Sequence, residues 1–166
     1  MDNNDLIIRL RYALDIKNTD MVEIFKLGGV EVTKADVMRI LIKTESADAE
    51  NQIKCNNKMF DAFLNGFIIF KRGKQEPKPG MPTPPPAPAP KSPNVNNLLL
   101  KKVKIALSLT TEDMLDILDE GGIAVSKGEL GALLRKEGHK NYKECKDGFA
   151  RRFLKGLAIR YRELKD

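Results

Sequence analysis

Tryptophan is absent from this chain, histidine occurs once and cysteine twice. Those scarcities exclude several chemistries. A closed zinc site takes four ligands, so Cys55, Cys145 and His139 fall one short, and no CxxC spacing is present. Two thiols make no disulfide framework. Neither a GxxxxGK[ST] loop nor a GxGxxG turn occurs, so no cofactor is expected. Long apolar runs are also missing: Phe67-Ile68-Ile69-Phe70 is among the longest, against the roughly 20 residues a membrane helix needs. The chain opens with Met1-Asp2-Asn3-Asn4-Asp5, acidic and polar where a secretory signal would be basic and then apolar. The expectation is a reduced, cytoplasmic setting with no membrane, no metal and no cofactor.

What is present is ordinary for a globular protein. Of 166 residues, 42% are hydrophobic, 31% charged and 6% aromatic, so any core rests on Leu, Ile, Val and Phe. The formal net charge is +6. Residues 1–75 hold 12 Lys+Arg against 11 Asp+Glu, and residues 94–166 hold 15 against 11. An anionic partner is therefore sought first in the second half.

Shifted by 93, the first half lies on the second. Asn3 and Asn4 meet Asn96 and Asn97, Leu6 meets Leu99, and Ala13-Leu14 meets Ala106-Leu107. Asp20-Met21 meets Asp113-Met114, and Gly28-Gly29 meets Gly121-Gly122. Past Lys43 the offset falls to 90, and Cys55, Phe63, Leu64, Gly66, Ile69 and Arg72 meet Cys145, Phe153, Leu154, Gly156, Ile159 and Arg162. Identities kept on both sides of one gap mark a duplication.

Each copy predicts four helices. The first shows helical spacing at Leu6, Leu10, Ala13 and Leu14, with Asn expected at its N-cap. The second is expected to begin after Asn18 or Thr111, with acids in its first turn, and to leave through the double glycine in a left-handed turn. The third opens on Thr33-Lys34-Ala35-Asp36 or Ser126-Lys127-Gly128-Glu129, a hydroxyl followed three residues on by an acid, as in a capping box. The fourth starts near Asn57 or Asp147 and runs to about Lys71 or Arg162. No segment alternates with period two, so no strand is expected. All nine prolines fall between Pro77 and Pro93. That stretch reads as an extended, solvated spacer, and PxxP matches such as Pro85 to Pro88 arise readily in any proline tract. The expected fold is all-α: two tandem homologous four-helix modules, residues 1–74 and 94–166, joined by a proline-rich linker at 75–93.

The run Phe63-Leu64-Asn65-Gly66 followed by Lys71-Arg72-Gly73-Lys74 resembles the YehS-like family of small bacterial proteins. So do Lys104-Ile105-Ala106-Leu107-Ser108-Leu109 and His139-Lys140-Asn141-Tyr142-Lys143-Glu144-Cys145. The resemblance covers both copies. It implies a duplicated domain of unknown function in a bacterial cytosol, and it brings no catalytic or binding residues with it.

Cys145 with His139 is the one pairing that suggests a nucleophile and base. His139 has no counterpart in the first copy while Cys145 does, so the cysteine reads as a small core residue. No catalytic residue is assigned. The last helix of the second copy is more informative. At 100° per residue, Phe149, Ala150, Phe153, Leu154, Leu157, Tyr161 and Leu164 share one face, and Arg151, Arg152, Lys155, Arg162 and Lys165 share the other within roughly 140°. Arg135, Lys136, Lys140 and Lys143 extend this stripe. Such patches bind phosphate backbones by charge neutralisation and counterion release. Aromatic residues are not interleaved with it, which argues against single-stranded targets. Ile69 and Ile159 sit on the otherwise polar side of the last helices near Gly66 and Gly156, where small residues admit a neighbouring helix, so these four are expected at a module or partner interface. The expected function is a non-enzymatic module that binds nucleic acid through the second copy. The alternative is a protein-interaction adaptor using the apolar last helices and the linker.

Overall fold

The computed structural model describes residues 2–43, 46–47, 49–72, 95–134, 140 and 142–163. The proline-rich stretch, Arg135, Lys136, His139 and Lys165 lie outside them. Helices follow in the order α1 (Asn3–Leu14), α2 (Asn18–Leu27), α3 (Lys34–Ile40), α4 (Asn57–Arg72), α5 (Val95–Ala106), α6 (Thr111–Glu120), α7 (Lys127–Leu134) and α8 (Asp147–Ala158). A 3-10 turn spans Ala49–Asn51, and a π-helical turn, Ile159–Glu163, continues α8. The fold is all-α, with no strand among the described residues.

Local signals explain most of these bounds. Thr33 Oγ1 accepts from Asp36 N at 3.1 Å and Thr33 N donates to the Asp36 carboxylate at 3.0 Å, which completes a capping box at α3. At α7 only the first bond forms, from Glu129 N to Ser126 Oγ at 3.1 Å. The glycine pairs end α2 and α6 as expected: Gly29 and Gly122 take φ of +94° and +103°, a region closed to most other residues. Three starts differ from expectation. Asp2, not an asparagine, caps α1 through a box with Asp5. α2 begins at Asn18 itself, whose Oδ1 is occupied by the Arg11 guanidinium at 2.9 Å and leaves Lys17 as an uncapped N-cap. At α6 the cap is Thr110, which stands three residues before Asp113.

The asparagines aligned at the first helix of each copy have another task. Asn4 is buried; its Nδ2 donates to the Ile40 and Ile53 carbonyls at 2.8 and 2.9 Å, and its Oδ1 accepts from Cys55 N at 3.0 Å. Asn97 repeats the pattern with Leu133 O at 2.7 Å, Lys143 O at 2.9 Å and Cys145 N at 2.7 Å. Each side chain ties the start of one helix to the end of the third helix and to the strap leading into the fourth. It satisfies three backbone groups that would otherwise lack partners.

Gly66 and Gly156 admit a close helix approach, but within their own halves rather than between them. A Cβ on Gly66 would lie 1.9 Å from Ile24 O in α2, and one on Gly156 would lie 1.9 Å from Ile117 O in α6. The partners reciprocate: Gly28 meets Ala62 O and Gly121 meets Arg152 O at the same separation. This corrects the expectation of a module or partner interface for those two glycines.

The two halves share one continuous core. In the first, Leu6, Ile7, Leu10, Phe25, Phe60, Phe63 and Phe67 are fully enclosed; in the second, Leu99, Leu100, Val103, Leu118, Phe153 and Leu157 take over. α4 packs on α5, and α8 packs on α1. The last helix of each half thus lies against the first helix of the other, the reciprocal pattern of a pseudo-twofold.

Candidate anion-binding cleft

The pseudo-twofold creates two equivalent seams, α4–α5 and α1–α8, and the sequence fills them differently. In the α4–α5 seam Lys102 is ion-paired with Asp61 and also donates to Asn65 Oδ1 at 2.6 Å. The repeat aligns Lys102 with Arg9, Asp61 with Arg151 and Asn65 with Lys155. The acid and the amide that neutralise the first seam are therefore cations in the second. Instead of closing, the α1–α8 seam holds a cleft of about 720 Å³ lined by Asp5, Ile8, Arg9, Tyr12, Lys43, Arg151, Leu154, Lys155, Ala158 and Ile159.

Arg9, Lys43, Arg151 and Lys155 are all exposed. The one carboxylate in the lining, Asp5, is the capping-box acid that accepts from Asp2 N at 3.4 Å. Four cations from two halves converge, offset in part by Asp5 and by Asp147 near Arg151, and the apolar wall of Ile8, Leu154, Ala158 and half-buried Ile159 lowers the local dielectric. Such a setting favours an anion that brings its own negative charge.

The residues expected to form the basic stripe separate here. Arg151 and Lys155 line the cleft, while exposed Arg152 does not. Arg162 is turned onto the first half: its guanidinium lies 4.0 Å from the centre of the Tyr12 ring, donates to Tyr12 O at 2.9 Å and pairs with Asp15 at 3.5 Å. The π turn carries this residue, and the same turn places Arg160 against Asp113 at 3.1 Å. Asp113 is held below the ordinary carboxylate range chiefly by the Thr110 backbone and hydroxyl, with Arg160 adding to them. Lys143 pairs with Glu129 at 2.5 Å and lies 5.4 Å from the Phe149 ring centre, so it is engaged locally. Lys140 is exposed, and Arg135, Lys136 and Lys165 lie outside the described residues. Ile159 faces the cleft; Ile69 is half-buried near the end of α4. Sequence reasoning missed Arg9, Lys43 and Tyr12, because they belong to the half whose overall charge is nearly balanced. Laying Arg9 on Lys102 and Asp61 on Arg151 would have pointed to them.

Both cysteines are free and buried. Burial, with Asp2 beside Cys55 and Asp147 beside Cys145, pushes each thiol up to about 12. Neither is a ready nucleophile at neutral pH. Among the described residues no helix is long and apolar enough to cross a membrane, and no group of three or more His, Cys, Asp or Glu side chains could hold a metal ion.

The family model described as "Protein of unknown function (DUF1456)" matches this chain twice, at residues 3–73 and 96–163. The chain is 41% identical over 160 residues to the protein called "Uncharacterized protein YehS" of Escherichia coli (strain K12), an alignment that covers 96% of each. No solved structure matches it.

Proposed function

The chain belongs to the YehS-like family of duplicated DUF1456 domains, and from that premise we propose that it is a non-enzymatic protein that binds nucleic acid through phosphates held in the α1–α8 cleft. On this reading each half is a four-helix module, residues 75–93 are the proline-rich linker between them, and the protein works in the bacterial cytoplasm. One observation carries the reading. Of two seams made by the same repeat, one is neutralised by Asp61 and the other gathers Arg9, Lys43, Arg151 and Lys155 around a cleft. Like charges brought together cost stability, and Asp5 in the lining and Asp147 near Arg151 offset only part of four cations, so their convergence points to a ligand that supplies the remaining negative charge. Arginine and lysine side chains present several N–H donors that match phosphate oxygens, which favours anion binding. The adaptor reading has less support, because the apolar faces of α4 and α8 are buried against α2 and α5, and against α6 and α1.

The test is charge reversal. Arg151→Glu with Lys155→Glu should weaken binding of single- and double-stranded probes alike by at least about tenfold, with helicity by circular dichroism retained. Arg152→Glu, one position away and outside the cleft, should change little. A folded double variant that binds like the parent refutes the proposal, as does a parent that shows no salt-dependent binding.

A further inference from the structure

We infer that the cleft is built for single-stranded nucleic acid, with an unpaired base stacked on Tyr12 while the flanking phosphates meet Arg9, Arg151 and Lys155; this rests on the phosphate reading above. The stripe on α8 carries no aromatic residue of its own, but packing of the halves brings one in from α1. Tyr12 lines the cleft and is 51% exposed, whereas phenylalanines 25, 60, 63, 67 and 153 are fully enclosed. An exposed ring beside cations combines a stacking surface with a phosphate-binding surface, the pairing that single-stranded nucleic acid requires.

The ring is also pre-oriented. Arg162 lies over one face of it, 4.0 Å from the centroid, and the same guanidinium is anchored by the Tyr12 carbonyl and Asp15. A base stacking on the opposite face finds a side chain with little rotational freedom left to lose. Leu154, Ala158 and Ile8 offer an apolar wall to the sugar and base edges.

The pseudo-twofold supplies an internal control. In the α4–α5 seam the residue aligned with Tyr12 is Ile105, and the residues aligned with the cations Arg151 and Lys155 are Asp61 and Asn65. The stacking ring and the cations Arg151 and Lys155 occur together in one seam and are missing together from the other. A duplex hides both faces of every base, so the ring would have no role in binding one; a splayed strand uses ring and cations at once.

Fluorescence anisotropy with three labelled probes tests this: a short oligothymidylate, an abasic phosphodiester strand of equal length and charge, and a duplex. The oligothymidylate should bind about tenfold or more tightly than the abasic strand, as stacking of one base would provide. Tyr12→Ala should remove most of that difference while leaving the abasic strand unchanged, and Tyr12→Phe should keep it. Equal affinity of the parent for the two single strands overturns the inference, whatever Tyr12→Ala does to the fold. If both bind in a salt-dependent way, the phosphate reading survives alone. If neither binds, or if Arg151→Glu with Lys155→Glu has no effect, both fall together.

Discussion

Replacing Asn97 by alanine tests whether one buried amide holds the second half together. The side chain bonds to Leu133 O, Lys143 O and Cys145 N, and the first and last of these are buried. Alanine removes one donor group and one acceptor and leaves the three backbone partners in place. A buried backbone group without a partner costs about 1–3 kcal/mol, and the Lys143 carbonyl, nearer to solvent, can recover a water. The expected loss is therefore about 3–5 kcal/mol, a large part of the roughly 5–15 kcal/mol that a domain has. Asn97→Leu should do no better, because volume is not what is missing. Asn96→Ala removes a buried bond to Cys145 O at 3.1 Å and one to the exposed Asp147 carboxylate at 2.9 Å, leaves one buried backbone group unpaired instead of two, and should cost about 1–3 kcal/mol. Urea unfolding followed by circular dichroism reads the difference as a shifted midpoint at constant slope. If Asn97→Ala costs less than about 0.5 kcal/mol, within the range of ordinary surface changes, the account of the asparagine tie is wrong.

Gly66→Ala or Gly156→Ala forces a methyl onto a backbone carbonyl 1.9 Å away, which no rotamer change can relieve. Either should cost about 1–3 kcal/mol or more by chemical denaturation, and a change under about 1 kcal/mol would contradict the close approach. The two thiols titrate higher folded than unfolded, so their contribution is intact below the ordinary thiol range and is lost as pH rises from about 9 toward about 12. Stability should fall there by up to about 1.4 kcal/mol per pH unit for each thiol, and replacing both with alanine should flatten that limb of the curve. Asp61→Ala leaves Lys102 without its acid and should cost about 1 kcal/mol, less at high salt.

Much of the architecture was legible because a duplicated sequence reports each element twice. The matched glycine pairs, the hydroxyl–acid spacing at α3 and α7, and the paired cysteines all fell where local chemistry placed them. Asn4 and Asn97 did not, because asparagine near a helix start ordinarily signals a cap; their burial depends on where the third helix ends and where the strap to the fourth returns. Gly66 and Gly156 were recognised as contact points, but sequence cannot say which neighbouring helix arrives. The site was half legible. Helical periodicity found Arg151 and Lys155, yet it also gathered Arg162, which the π turn diverts to Tyr12 and Asp15. Arg9 and Tyr12 come to the cleft only through the packing of α1 on α8, a long-range contact that no local pattern encodes.

The salt dependence of single-stranded oligonucleotide binding tests the central claim most directly. If Arg9, Lys43, Arg151 and Lys155 each neutralise one phosphate, the logarithm of the association constant should fall against the logarithm of salt concentration with a slope of about −3, and reversing Arg151 and Lys155 should reduce that slope by at least about half. A slope near zero in the parent protein, or an unchanged slope in the folded double variant, would contradict it.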